Sequence, residues 1–434
     1  MTKRVLMIAY HYPPCAVSSG QQRTLSFSRH LPACGWEPVV LTTNASAYSR
    51  VAHDQLSDIP STLKVVRTWA FDTVRHLSLR GHYPGWLAVP DPWVSWFASG
   101  TLRGLRLIRD HQPRAIWSTY PIATAHLIAL VLHRLTGIPW IADFRDPMNE
   151  IDPVTKERWP KDPRIWRARE WIERHTVLSC VRAVFVTKGA LRIYAERYPQ
   201  VPASRWAWIA NGYSQESFAA AEALRNGNRP QGGKTVLLHS GVLYPSPDRN
   251  PGQFFGALAE LRKSGKISPE NLQVILRATS SEDLYHKQLV ELRIEDIVTL
   301  EPPVAYNQAL SEMLNVDGLL LFQGRDSNPA IPAKLYEYIR ARRPILALVD
   351  DRGDTAALLR EANVGMLVPL DSQERIAAGL LQFLEQIRSG KAPIAAEAEI
   401  ERHSRKRKAY ELAGVLEEVV SDRDSRGKGL ENLS

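Results

Sequence analysis

Short apolar runs alternate with amphipathic stretches along almost the whole chain. In the first half, Val5 to Ala9, Pro38 to Thr42, Ala115 to Ser118, Pro139 to Phe144, Ala183 to Thr187 and Trp206 to Ile209 read as buried strands. Apolar runs this short, punctuated by Gly and Pro, favour strand over helix. Gln21 to Leu31 and Ile122 to about Leu135 carry helical periodicity, with Gly35 and Gly137 as stops. Between residues 222 and 234 the apolar period vanishes into ALRNGNRPQGGK, which reads as a linker. A second strand–helix series follows, with strands at Thr235 to His239, Val274 to Arg277, Ile297 to Leu300, Gly318 to Phe322, Ile345 to Val349 and Met366 to Val368.

Strand alternating with helix predicts an α/β fold with parallel sheets. The expected organisation is two Rossmann-like domains facing a cleft. Residues 1–221 form the first domain, 222–234 the linker and 235–396 the second domain. A charged helix follows over 397–421, then a polar, disordered tail over 422–434. A length of 434 residues fits two domains.

Composition narrows the class. With 44% hydrophobic and 23% charged residues the chain reads as a soluble globular protein. Its most apolar stretch, Ile122 to Leu132, contains His126 and stops at His133, so no membrane-spanning helix is expected. MTKRVLMIAYHYPP turns polar too early for a signal peptide, and the sparse cysteines lead us to expect a cytoplasmic protein. Cys15, Cys34 and Cys180 lack metal-ligand spacing, and an odd, sparse count fits a reducing compartment. No metal site is expected. The net charge of +9 invites nucleic acid, but the basic residues are dispersed and carry no recognition motif, so no nucleic-acid partner is expected. A basic protein that handles anionic substrates or docks on an anionic membrane accounts for the charge as well. The absence of G-x-G-x-x-G after the first strand and of GxxxxGK[ST] disfavours dinucleotide and P-loop chemistry.

Candidate chemistry gathers where strands end. DGLLLFQGRDSNPAIPAKLYEYIRARRPILALV reads as strand, polar loop, a helix opening near Pro332, and strand. In an open α/β sheet such a junction lies at the carboxyl edge, where ligands bind. It would present Asn328, Ala330, Ile331, Lys334 and Glu337. A lysine near a helix start can meet a diphosphate, and a carboxylate one turn on can accept from a ribose diol. The same two residues would equally serve as an i, i+3 surface pair. His239-Ser240-Gly241 ends the first strand of the second half, with Arg249 beyond it, either on phosphate or solvated beside Asp248. In the first half, Gly20 opens a helix and suits close approach of an anion, or simply a tight turn. Tyr120 follows one strand. Asp143, Arg145 and Asp146 follow another, to bind a ligand or to hold one another in an ion network. His126, inside an apolar helix, reads as structural. Trp86, Trp93 and Trp96 suit either core packing or a lipid-facing or acceptor-facing wall, and the segment Arg164 to His175 either a solvated helix with one buried stripe or an anionic membrane face.

These segments resemble family-four glycosyltransferases, especially the bacterial surface-polysaccharide branch. The resemblance rests on YHYPP…GQQRTLSFSRHL, STYP with DFRDP, Asn211-Gly212-Tyr213 and P-x-K-x-x-E-Y, in that order up to about residue 390. It implies the GT-B architecture and a retaining transfer of sugar from a nucleotide-diphosphate donor to a glycan or lipid-linked acceptor. No cofactor is implied beyond that co-substrate. Gly20, Gly241, Arg249, Asn328, Ala330, Ile331, Lys334 and Glu337 would hold the donor, and Arg249, Lys334 and Glu337 would serve catalysis. Tyr120, Asp143, Arg145 and Asp146 would face the acceptor. Peripheral contact with the inner membrane face would bring a lipid-linked acceptor within reach. The chain departs from the pattern where Pro329 replaces the first glutamate of E-x7-E and Val242 replaces an arginine. A catalytically lapsed relative that binds nucleotide sugar or glycan is the alternative.

Overall fold

The computed structural model describes residues 3–16, 20–52, 55–151, 156–224, 233–246 and 248–431. The chain forms two compact units, one of residues 1–211 with 405–434 and the other of residues 212–404.

The first unit contains β1 (Lys3–Ile8), β2 (Trp36–Thr43), β3 (Lys64–Thr68), β4 (Ala115–Thr119), β5 (Trp140–Phe144), β6 (Glu150–Ile151), β7 (Arg158–Trp159), β8 (Arg182–Phe185) and β9 (Trp206–Trp208). Seven of these form one parallel sheet in the order β3-β2-β1-β4-β5-β8-β9, and β6 and β7 make a separate antiparallel pair. Because alternate side chains leave opposite faces of a strand, β1 must be apolar at consecutive positions to be covered on both sides. Leu6 and Ile8 join one core with Leu41, Ile128 and Leu132. Val5 and Met7 join the other with Phe27, Trp117, Leu412 and Leu416. The strand β3 is absent from the sequence reading because Val66 is its only buried residue, which leaves no apolar run to detect.

The second unit holds β10 (Thr235–Ser240), β11 (Leu272–Arg277), β12 (Val298–Glu301), β13 (Gly318–Gln323), β14 (Ile345–Val349) and β15 (Met366–Val368). Its parallel sheet runs β12-β11-β10-β13-β14-β15. Every strand expected in this half is present within two residues of its expected bounds. Both sheets are doubly wound. The chain leaves β1 and β10 towards one edge and β4 and β13 towards the other, so each unit has a switch point beside its first strand.

Three sequence expectations need correction. The division falls at 211/212, before the linker, because the helix Gln215–Ala223 buries Phe218 and Ala221 in the second unit and Arg340 binds Gln215 and Glu222, both at 2.8 Å. Residues 225–232 of the expected linker lie outside the described residues. The charged C-terminal stretch is two helices, Glu397–Arg402 and Arg405–Glu431. The second returns to the first unit, where Ala409, Leu412, Leu416 and Val420 cover the sheet and Trp36 Nε1 donates to Glu417 at 2.8 Å. It also continues through most of the tail expected to be disordered. Among the described residues no helix is long and apolar enough to cross a membrane.

Candidate functional site

In the second unit the helix Ala333–Ala341 starts after Pro332, whose φ of −60° is set for helix entry, and no side chain caps its N-terminus. Leu335, Tyr336, Tyr338 and Ile339 bury one stripe, and the Ser240 N–H donates to Tyr338 Oη at 3.1 Å. That packing fixes the helix start against the end of β10 and carries Lys334 to the switch point. Lys334 Nζ lies 3.2 Å from His239 Nε2, and a Cβ on Gly241 would stand 2.7 Å from the same Nζ. Gly241 has φ +114°, so a side chain there would be strained as well as obstructive.

The His239 ring is buried between two carbonyls, with Nδ1 2.9 Å from Leu320 O and Nε2 3.1 Å from Gly241 O. Burial and the neighbouring Lys334 hold its pKa well below the usual histidine range. A neutral ring that donates from Nδ1 to Leu320 O leaves Nε2 to accept from Lys334. Lys334 is drawn down to about 7, first by burial and then by Arg249, with Glu337 opposing. Glu337 accepts from the Tyr306 hydroxyl at 2.7 Å. Arg249 lies over the Tyr244 ring, 5.3 Å from its centroid, and 3.3 Å from Asp248. Thus His239, Gly241, Arg249, Lys334 and Glu337 converge on one place, where partly desolvated cationic groups meet an uncapped helix start. Such a place suits a diphosphate.

Two expected members, Ala330 and Asn328, play other parts, and the Gly241 N–H is engaged. The Ala330 N–H donates to Ser327 O at 2.8 Å, and its carbonyl accepts from Gln323 Nε2 at 2.9 Å, so this peptide is engaged within its own loop. The Gly241 N–H likewise donates to Arg277 O at 2.9 Å. The first-turn N–H groups of Ala333 and Lys334 are the better anion donors. Asn328 donates to Asp350 Oδ2 at 3.1 Å and accepts from the Asp354 N–H at 2.8 Å, which ties it to the loop after β14. Ile331 is half-buried beside the helix start.

In the first unit Gly20, Tyr120 and Arg145 line one small depression at the carboxyl edge, together with Tyr10 and His11. Burial and Arg145 lower the His11 pKa to about 4, which leaves a neutral imidazole facing a guanidinium. Asp143 corrects the sequence reading. It is fully buried, and Arg23 Nη2 donates to it at 2.7 Å and Thr119 Oγ1 at 2.8 Å. Arg23 also donates to Ala210 O at 3.1 Å. Asp143 therefore has no face for an acceptor and instead joins β4, β5 and the helix Gly20–His30. Asp146 is exposed and acts with Asp143 to oppose the lowering of the Arg145 pKa by burial. His126 is structural: it is buried, 2.7 Å from Ser118 Oγ, and held down to about 3 by burial.

Tyr306 and His11 were not in the expected site, and His239 was expected there only as part of the strand-end triplet with Gly241. His11 and His239 had a usable signal, since each is a polar residue at the carboxyl end of a buried strand. Tyr306 had none, because only the fold brings it to Glu337. The tryptophans divide: Trp96 is core, while Trp86 is 68% exposed and Trp171 lies exposed on the helix Pro163–Ser179. Among the described residues no group of three or more His, Cys, Asp or Glu is arranged to hold a metal ion.

Residues 20–212 match the family model described as a glycosyl transferase 4-like domain. Comparison with curated proteins gives no match. Among solved structures, trehalose 6-phosphate synthase from Burkholderia multivorans superposes with a TM-score of 0.64 at 12% identity, covering 98% of this chain and 99% of its own. Anabaena HepE in complex with UDP-glucose gives 0.58 at 12% identity, covering 98% and 99%. WaaG, a glycosyltransferase involved in lipopolysaccharide biosynthesis, gives 0.56 at 14% identity, covering 96% and 98%. At such identities the likeness speaks for fold, and the fold is GT-B. The chain has the GT-B fold, and its residues 20–212 match a glycosyl transferase 4-like domain.

Proposed function

We propose that this protein transfers a sugar, with retention of configuration, from a nucleotide-diphosphate donor to a glycan or lipid-linked acceptor in cell-surface polysaccharide synthesis. The observation that carries the donor half is the convergence of Lys334, Arg249 and Gly241 at an uncapped helix start, one turn from Glu337. Lys334, Arg249 and the Ala333 and Lys334 N–H groups would take the charge that develops on the leaving diphosphate, commonly the largest catalytic contribution. Glu337, oriented by Tyr306, would accept from the ribose diol. The neutral His239 would hold Lys334 in place. That UDP-glucose is bound by HepE supports a nucleotide-sugar donor. Tyr120 and Arg145 would face the acceptor.

Exposed Trp86, together with exposed Trp159 and Trp171 in a segment that also carries Arg158, Arg164 and Arg167, supports peripheral contact with an anionic membrane at the inner face. The donor is tested by thermal stabilisation and turnover with UDP, GDP, dTDP and CDP sugars. Lys334→Ala and Glu337→Ala should each cost about 1.5–3 kcal/mol of donor binding or transition-state stabilisation without unfolding the chain. Unchanged kinetics in both variants would remove the donor-site assignment. Sedimentation with anionic but not neutral liposomes, weakening with salt, is expected for the membrane contact.

A further inference from the structure

A second cavity opens in the same unit, apart from Lys334 and Glu337. It has a volume of about 940 Å³ and lies over the carboxyl ends of β14 and β15. Its wall carries Arg325, Arg360 and Arg375 together with Asp351, Asp371 and Gln288. Arg352 and Asp350 also line it but neutralise each other, with Arg352 Nε donating to one carboxylate oxygen at 3.1 Å and Nη2 to the other at 2.8 Å. Arg325 Nε lies 4.0 Å from Asp326, which is outside the lining, so Arg360 and Arg375 are the guanidinium groups left to face a guest, beside Asp351 and Asp371. Among the described residues no ion-pair partner engages the Arg375 side chain, and Gln288 Oε1 is a buried acceptor without a donor. A buried amide oxygen lacking a donor is costly, and a hydroxyl from a guest would satisfy it.

The lining narrows the chemistry. Among the described residues of the lining there is no aromatic side chain, so these offer no platform on which a base or the face of a neutral sugar could stack. Guanidinium groups recognise phosphate or carboxylate oxygens in planar, paired fashion, whereas aspartate and glutamine oxygens accept from hydroxyls. The cavity volume lies within the range of small-molecule sites. We propose that this cavity binds an anionic, hydroxyl-rich small molecule of the hexose monophosphate class, at a site separate from the Lys334 cluster.

Calorimetric titration of the full chain with glucose 6-phosphate, glucuronate, glucose and inorganic phosphate tests this. Saturable binding of glucose 6-phosphate is expected, at least tenfold tighter than glucose. Glucuronate binding at similar strength would also support the anionic class. Arg375→Ala and Arg360→Ala should each weaken the phosphate ester at least tenfold, while Lys334→Ala leaves it unchanged. Arg360 Nη1 also holds Asp351 O at 2.7 Å, so the exposed Arg375 provides the cleaner variant. Absence of saturable binding, glucose binding as tightly as its phosphate, or inorganic phosphate alone binding as tightly as the ester would overturn the proposal. So would binding that survives both arginine variants, or that is lost in Lys334→Ala, which would move the ligand to the donor site. Because the readout is binding without turnover, the outcome is independent of whether the donor assignment holds.

Discussion

Lys334 offers a quantitative test of the donor site. Its pKa is drawn from an ordinary 10.5 to about 7 by burial and by Arg249. In the ligand-free protein it therefore loses its charge just above neutrality. A diphosphate placed against Nζ favours the ammonium form, so donor binding raises this pKa and takes up a proton at alkaline pH. If only the charged form holds the donor, affinity is flat below about pH 6. Between pH 6 and pH 9 it falls by roughly 90-fold, from the ratio of the neutral and charged populations about a pKa near 7. His239 stays neutral across this window, since its pKa is held well below 6.5, and the phosphodiester groups of a nucleotide sugar do not titrate there. Calorimetry with UDP-glucose, in two buffers of different ionisation enthalpy, should show uptake approaching one proton at pH 8–9. Lys334→Met, which keeps the stem and removes the ammonium, should abolish both the slope and the uptake. Folding runs in the opposite direction: the unfolded chain binds more protons between pH 7 and 10.5, so stability rises with pH there, and the variant should lose that rise. A flat affinity profile, or the same slope in Lys334→Met, would refute contact between Lys334 and the diphosphate.

Asp143→Asn should strand the buried Arg23 guanidinium at a cost of about 3–5 kcal/mol. For a unit of this size that corresponds to a melting shift of roughly 6–20 °C. Arg23→Met in the same chain should recover much of the loss, and a destabilisation under 1 kcal/mol would return Asp143 to acceptor binding. Gly241→Ala should leave melting of the first unit unchanged while donor binding falls by tenfold or more, since φ +114° and a Cβ 2.7 Å from Lys334 Nζ both oppose it. Unaltered donor affinity in the folded variant would count against the cluster. Leu416→Ala should cost about 2–5 kcal/mol of the first unit's stability, read from denaturant midpoints. A neutral result would mean that the terminal helix is not part of that core.

The strands were legible because their physics is local. A strand covered on both faces must be apolar at consecutive positions, so β1, β10, β13 and β14 stand out in the chain and their carboxyl ends locate Gly20, Gly241 and Lys334. Edge strand β3, with Val66 alone buried, carries no such run. Lost periodicity singled out residues 222–234, but not the unit boundary at 211/212. The helix at 215–223 and the helix beginning at Arg405 each choose a unit by the surfaces they bury, and that choice depends on residues far along the chain, such as Arg340 for Gln215, 125 positions on, and Trp36 for Glu417, 381 positions back. The same reason explains Asp143. D-x-R-D at a strand end looks alike whether it meets a ligand or an arginine, and only the packed helix Gly20–His30 brings Arg23 to within 2.7 Å. The depressed pKa of Lys334, the orientation of Glu337 by Tyr306 and the second arginine-lined cavity belong wholly to tertiary structure. Charge and hydrogen-bonding capacity are written into each residue, but desolvation and mutual distance arise only once separate strands share an edge.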